Sequence, residues 1–297
     1  MILDALEGYG FHRPLSEAGF LATDTIKRLF TRIKGLALSH GSLIVISGSV
    51  GAGKTTFVNQ LMKELKEEKK CLVSYSFSSD RQQVNIKTLL TALHIDLSKS
   101  DKPLKVASSP EIRDRNLVKL LEVTNKPVVL FIDEAQDLHG NTLSSLKKLS
   151  EIAKTSHQTL SIILSGQPKL RQAIRLPKME EIGSRAYVLD LDEQRAIPQK
   201  EQYLQWAIIQ CLSQDRRLSD VITPDALKFL TDTMSTPLQI ISHFNRALEI
   251  GFVNGMRPID MRIMEMVIKS SSVTPDSRKE RVEVRPVARV IEPVRVS

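Results

Sequence analysis

The sequence predicts an α/β fold, a mostly parallel sheet with helices on both faces, followed by a small all-helical unit. Three observations carry this. Short apolar runs alternate with helix-period segments between about residues 41 and 192, which is the pattern of successive βα units. The alternation then stops, and about 197–270 reads as helix. The first apolar run leads through a glycine-rich loop straight into a helix, the arrangement that presents backbone N–H groups to a phosphate.

The elements follow in order. Residues 1–40 hold Pro14 and Gly19, then a helix that Thr23 or Asp24 can cap. Ile26, Leu29, Phe30 and Ile33 recur along it at helical spacing, and Gly41 ends it. Leu43-Ile44-Val45-Ile46, bounded by glycines, reads as a buried strand. The helix after the glycine loop runs from about 55 to 69, with a solvated, mixed-charge stretch at 63–70. Residues 71–75 are the next strand and 85–97 a helix. The polar stretch 98–110 is a loop, and a helix covers about 111–124. Pro127 introduces Val128-Val129-Leu130-Phe131-Ile132, the most apolar run in the chain and a central strand. A helix at 141–155, a strand at 160–164 beside 128–132, and a short closing strand at 187–191 complete the sheet. In the helical unit, Thr223-Pro224 and Thr236-Pro237 are N-cap and first-turn proline pairs. Gly251 and Gly255 mark a stop. The expected division is an N-terminal segment with leading helix at 1–40, an α/β domain at 41–195, a helical unit at 196–270 and a basic tail at 271–297. The tail, with isolated valines between prolines and arginines, is expected to be disordered when free.

Composition narrows the function class. The 297 residues are 41% hydrophobic and 26% charged, as in an ordinary globular protein. No apolar run approaches the roughly 18–20 residues that span a bilayer. The first ten residues carry Asp4 and Glu7 and no basic residue, unlike a secretory signal. With two cysteines, Cys71 and Cys211, a disulfide framework is excluded and a reducing cytoplasm is the expected compartment. The net charge of +8 points mildly to a polyanionic partner such as nucleic acid. Six basic against three acidic side chains lie at 277–297, so +3 of that charge belongs to the tail. Aromatic content of 5% leaves little for stacking on single-stranded bases and favours duplex backbone contacts. His94, His139 and His157 are scattered without metal-ligand spacing, and Trp206 reads as core of the helical unit.

The chemistry sits in four places. Gly48-Ser49-Val50-Gly51-Ala52-Gly53-Lys54-Thr55 fits G-x-x-x-x-G-K-[ST], directly after a strand and opening a helix, with Thr56 next. Its glycines let backbone N–H groups wrap a phosphate; Lys54 can reach the β- and γ-phosphates and the Thr55 hydroxyl can ligate Mg²⁺. Strand 128–132 ends in Asp133-Glu134, at the end of the sheet where α/β folds bind ligands. Asp133 can hold Mg²⁺, and Glu134 can orient and deprotonate an attacking water. Ser165-Gly166-Gln167 follows the strand at 160–164; Gln167 is the first candidate to touch a γ-phosphate and Ser165 the second. Arg185 precedes the last strand and can act in trans on a neighbouring subunit's γ-phosphate, with Arg175 as its rival. Separately, Lys99, Lys102, Lys105, Arg113, Arg115 and Lys119 form a basic stretch that can meet DNA phosphates without reading sequence. A solvated loop and helix face is the alternative.

These residues together resemble the AAA+ ATPases, within the ExeA-like and transposition-ATPase group (TnsC, TniB and MuB types). The resemblance covers roughly residues 8–268. It rests on residues 48–56, on 129–138 with Asp133-Glu134-Ala135-Gln136, on 163–170 with Gly166-Gln167-Pro168, and on the segments from Thr223-Pro224 and from Ser235-Thr236-Pro237 to Ile240. It implies a P-loop NTPase fold with a helical lid at 196–270, and ATP and Mg²⁺ as the bound groups. Gly48, Gly53, Lys54 and Thr55 match Walker A, Asp133 and Glu134 match Walker B, Gln167 falls near sensor 1, and Arg185 falls at the arginine finger. One departure stands out. Such lids commonly carry an arginine after the turn before this helix, where the chain has Pro237-Leu238-Gln239-Ile240 and no arginine until Arg246. The resemblance implies a slow ATPase that assembles on duplex DNA as a ring or filament, recruits a transposase or target selector, and disassembles on hydrolysis. A secretion-assembly ATPase is the alternative; a membrane span and a wall-binding domain would be expected for it. A helicase loader or initiator, with an added helix-turn-helix, is another, as is a nucleotide-gated scaffold with negligible turnover.

Overall fold

A computed structural model describes residues 1–39, 41–76, 84–98, 107, 109–155, 157–192 and 200–272. Lys99, Lys102, Lys105 and the tail from residue 273 on lie outside the described residues, residues 271 and 272 being the end of a helix. Five strands, β1 (Leu43–Ser47), β2 (Leu72–Tyr75), β3 (Val128–Ile132), β4 (Leu160–Gly166) and β5 (Tyr187–Asp190), form one sheet in the order β2-β3-β4-β1-β5. Every pairing is parallel. All five residues of β3 are buried, as a central parallel strand covered on both faces requires.

Because side chains alternate along a strand, each strand feeds two cores. Val128, Leu130, Ile132, Leu160, Ile162 and Leu164 face one, which is closed by α4 (Ile86–Leu97), α5 (Pro110–Thr124), α6 (Gly140–Thr155) and α7 (Pro168–Ile174). Val129, Phe131, Ile163, Ile44 and Ile46 face the other, beneath α2 (Asp24–Ser39) and α3 (Lys54–Glu68). Across the outer side of that second core, the Lys34 amine ties α2 to α3 through Glu64 at 2.5 Å and Glu68 at 2.6 Å. The mixed-charge stretch at 63–70 is therefore partly engaged in holding two helices together. Burial pushes the Cys71 and Cys211 thiols up from their ordinary range, which leaves both as small apolar groups.

The helical unit has α9 (Lys200–Cys211), α10 (Pro224–Thr233), α11 (Pro237–Val253) and α12 (Met261–Ser272) around a core of its own. Thr223 and Thr236 accept backbone N–H bonds as N-caps, each with proline in the first turn. Trp206 is half-buried against this core.

The N-terminal segment is where the structure departs furthest from the sequence reading. Residues 2–9 form a helix, α1 (Ile2–Tyr9), that the pattern at 1–40 does not announce. Its Ala5, Leu6 and Tyr9, with Phe11 and Leu15, belong to the core of the helical unit and not to that of α2. Phe11 meets Phe244 edge to face at 6.2 Å, His12 N–H donates to the Cys211 carbonyl, and Tyr9 Oη donates to Met256 O at 2.7 Å. The same contact corrects the reading of Gly251 as a helix stop. Gly251 lies inside α11, where a Cβ would fall 2.1 Å from the Tyr9 hydroxyl. It is glycine because α1 packs there, and the helix ends at Val253, before Gly255 at φ 64°. Helices α7 and α8 (Glu180–Gly183) also had no sequence counterpart, and β4 runs two residues beyond 164, in register with Ser47.

Phe244 is fully buried at the centre of the helical unit. Phe244→Ala is expected to destabilise that unit by about 3–5 kcal/mol. Chemical denaturation should show the loss, and limited proteolysis should show earlier cleavage near residues 12–21, because Phe11 loses its partner.

Candidate nucleotide site

The site forms where the C-terminal ends of β1, β3 and β4 meet. Register brings them level. Ser47 pairs with Gly166, and Ile132 pairs with Leu164, so the loops leaving the three strands start side by side. The glycine loop leaves β1 and turns into α3, with Gly53 at its N-cap. Gly51 and Gly53 both lie at φ 83°, a backbone region open to glycine and strained for other residues. Lys54 is only 7% exposed. Its ammonium curls back over the loop and donates to the Gly48 carbonyl at 3.0 Å and the Ser49 carbonyl at 2.9 Å.

The Thr55 hydroxyl donates to Asp133 Oδ2 at 3.3 Å, so the two oxygens predicted for Mg²⁺ are already adjacent. A hydroxyl and a carboxylate are hard oxygen donors of the kind Mg²⁺ takes, alongside phosphates and water. Asp133 is buried, and its Oδ1 accepts the backbone N–H of Glu134 at 2.9 Å. Glu134 itself sits at φ 52° and ψ 38°, a left-handed conformation uncommon for a residue with a side chain and characteristic of functional turns.

A cavity of about 430 Å³ opens over the loop. Val50 through Thr56 line one end, together with Glu134 and Gln167. Of the predicted phosphate-loop residues, Gly48 and Ser49 stand outside this lining. Ser49 is instead fastened by Asp192, whose carboxylate accepts its N–H at 2.7 Å and its hydroxyl at 3.1 Å. Asp190, which accepts the Asp192 N–H, pairs with Arg171 of α7 at 2.5 Å.

The other end of the cavity is apolar and was not foreseen. Leu15, Ala18, Phe20 and Leu21 approach from the N-terminal segment, Tyr203 from α9 and Ile241 from α11. Phe20 is fixed by stacking on Phe30, their rings 5.8 Å apart and nearly parallel. Burial pushes the Tyr203 phenol above its usual range. Such a compartment suits a flat apolar base, with the phosphates directed at the loop. The only local sign in the sequence is the break Pro14…Gly19-Phe20 before α2, which does not say what it lies against. The helical unit also reaches the loop, since a Cβ on Gly51 would come 2.7 Å from Leu238 Cβ and 3.0 Å from Thr236 Oγ1.

The remaining candidates divide. Gln167 stands at the N-cap position of α7 without a side-chain capping bond and lines the cavity, whereas Ser165 is buried and its hydroxyl has no hydrogen-bond partner among the described residues. Arg185 and Arg175 are both exposed and neither lines this cavity. Arg113, Arg115 and Lys119 lie on α5 among Glu111, Asp114 and Glu122, so that helix carries no net charge, and Arg115 is bonded to Glu111 at 2.8 Å.

Lys54→Ala removes the cation that lines the cavity at the glycine loop. It is expected to weaken binding of a fluorescent ATP analogue by roughly ten- to hundredfold, the worth of a charge-assisted hydrogen bond, with the thermal midpoint little changed.

Residues 37–174 match the AAA domain family. General secretion pathway protein A of Aeromonas hydrophila is 29% identical over 183 residues, 58% of this chain and 32% of that protein. The chain thus spans about a third of the length of this relative. Among solved structures, Drosophila ORC bound to DNA is similar with a TM-score of 0.59 at 14% identity, over 92% of this chain and 66% of that one. Cdc6p from Pyrobaculum aerophilum gives 0.58 at 17%, over 82% and 65%, and Aeropyrum pernix ORC2 gives 0.52 at 17%, over 82% and 66%. With its all-parallel five-stranded sheet flanked by helices and its glycine loop, the chain has the P-loop AAA+ fold, and residues 37–174 are the part that matches the AAA domain family.

Proposed function

We propose that the chain binds ATP in this cavity and hydrolyses it to ADP and phosphate. The observation that carries the reading is that Glu134 and Gln167 line the same cavity as Gly51 through Thr56. A phosphate cradle, an ionisable carboxylate and a polar side chain thus converge where a terminal phosphate would lie. The loop N–H groups and Lys54 bind and orient the phosphates. Thr55 and Asp133 are the residues that would hold Mg²⁺, which supplies charge neutralisation when bound. Glu134 takes the proton of the attacking water. Arg185 stands exposed outside its own cavity, which suits a role on a neighbouring copy's phosphate and makes turnover depend on assembly.

We further infer that this ATPase regulates DNA transposition, assembling with ATP on duplex DNA and recruiting a transposase or target selector. The paired D-E-A-Q and G-Q-P segments and the +8 charge support this. A second reading, an ATPase of secretion assembly, is favoured by the similarity to general secretion pathway protein A over 183 residues. Among the described residues no helix is long and apolar enough to cross a membrane.

Glu134→Gln is expected to keep ATP binding and lose about 10²- to 10⁴-fold in turnover, the usual worth of a general base. Unchanged phosphate release would sink the hydrolytic reading. For the assembly, electron microscopy with duplex DNA and a non-hydrolysable ATP analogue should show rings or filaments that vanish without nucleotide. A monomer indifferent to DNA under both conditions excludes the transposition role.

A further inference from the structure

The two sequence segments that carry the resemblance, D-E-A-Q after β3 and G-Q-P after β4, meet in space through one side chain. Gln136 lies on the single helical turn Ala135–Asp137, two positions after Glu134. Its Oε1 accepts the backbone N–H of Gln167 at 3.0 Å. Its Nε2 donates to Glu134 Oε2 at 2.7 Å and to Asp137 Oδ2 at 3.1 Å. The partners fix which way the amide points. Gln167 offers a donor and the two carboxylates offer acceptors, so the reversed amide would face N–H with N–H and oxygen with oxygen.

Space is reserved for this bridge. A Cβ on Gly166 would fall 2.6 Å from Gln136 Oε1 and 3.2 Å from the Gln136 backbone nitrogen. The glycine at the end of β4 is therefore needed for the close passage of Gln136. Glu134 is then held at both ends, its backbone N–H by Asp133 and its carboxylate by Gln136. Left alone, a glutamate with three rotatable bonds beside an open cavity would sample many rotamers. A charge-assisted bond of this length selects one.

We propose that Gln136 is a positioning residue for ATP hydrolysis. It sets the Glu134 carboxylate at the cavity and joins it to the turn presenting Gln167, so that the water-facing and phosphate-facing groups share one orientation. The inference rests on Glu134 being the base.

Two substitutions in the full chain separate the arms of the bridge. Gln136→Ala removes both. Gln136→Glu keeps the volume and the acceptor for Gln167 N–H, but replaces the donor to Glu134 with a second carboxylate. With Mg²⁺-ATP and duplex DNA present, both are expected to lower kcat by roughly ten- to hundredfold, the cost of a misplaced reacting group. The Kd for a non-hydrolysable ATP analogue should stay close to wild type, as for an interaction that matters only in turnover. In a Glu134→Gln background neither should lower kcat further, because the two residues act as one unit. Wild-type kcat in both variants overturns the proposal. A loss of kcat accompanied by equal losses of nucleotide affinity and melting temperature also overturns it, since that is the signature of packing alone. If Glu134→Gln itself turns over like wild type, it is the assignment of the base that fails. If Glu134→Gln is inactive and both Gln136 variants are unimpaired, only the role of Gln136 fails.

Discussion

β4 is hydrogen-bonded to β1 on one side and to β3 on the other, with Ile46 opposite Ser165 and Ile132 opposite Leu164. Everything at the site depends on this double register. The glycine loop, the Asp133-Glu134 pair and the Gly166-Gln167 turn lie far apart in the chain, and only parallel pairing starts their loops at one level. Side-chain alternation makes that register hard to slip. A shift by one residue would exchange Leu130 with Phe131 and Ile162 with Ile163 between two cores built for them.

A second constraint operates across the cavity. The apolar end needs three pieces, the turn at 15–21, α9 and α11, and two of these are joined before the sheet is involved. Residues 1–18 share the helical unit's core, while Phe20 stacks on Phe30 of α2. The N-terminal segment thus bridges from the helical unit to α2 along the apolar lining of the cavity. Cavity shape and the position of the helical unit are in this way coupled by packing.

How far the sequence revealed this follows from the range of each signal. The strands were readable because each is a short apolar run closed by glycine, proline or charge, and the phosphate loop because its spacing is itself the chemistry. Asp133 and Glu134 could be placed because they end the most apolar run. The N-terminal segment was not readable. Whether Tyr9, Phe11 and Leu15 pack on α2 or on α11 is a long-range matter, and nothing within a few residues of them decides it. Gly251 misled for the same reason, since a glycine needed for close approach looks in sequence like one that ends a helix. Gln136 was visible as part of a motif, but its role needed Gln167 beside it. Asp192 carried no signal, because one aspartate after a strand is commonplace.

Leu238 gives the helical unit a particular character. The first turn of α11 meets Gly51 of the glycine loop with hydrocarbon and not with a charged group. Such a contact is not screened by dissolved salt, and it has no electrostatic means of telling a triphosphate from a diphosphate. The helical unit therefore meets the glycine loop through shape, while charge at this end of the cavity is carried by Lys54 of the loop and Glu134 beside it.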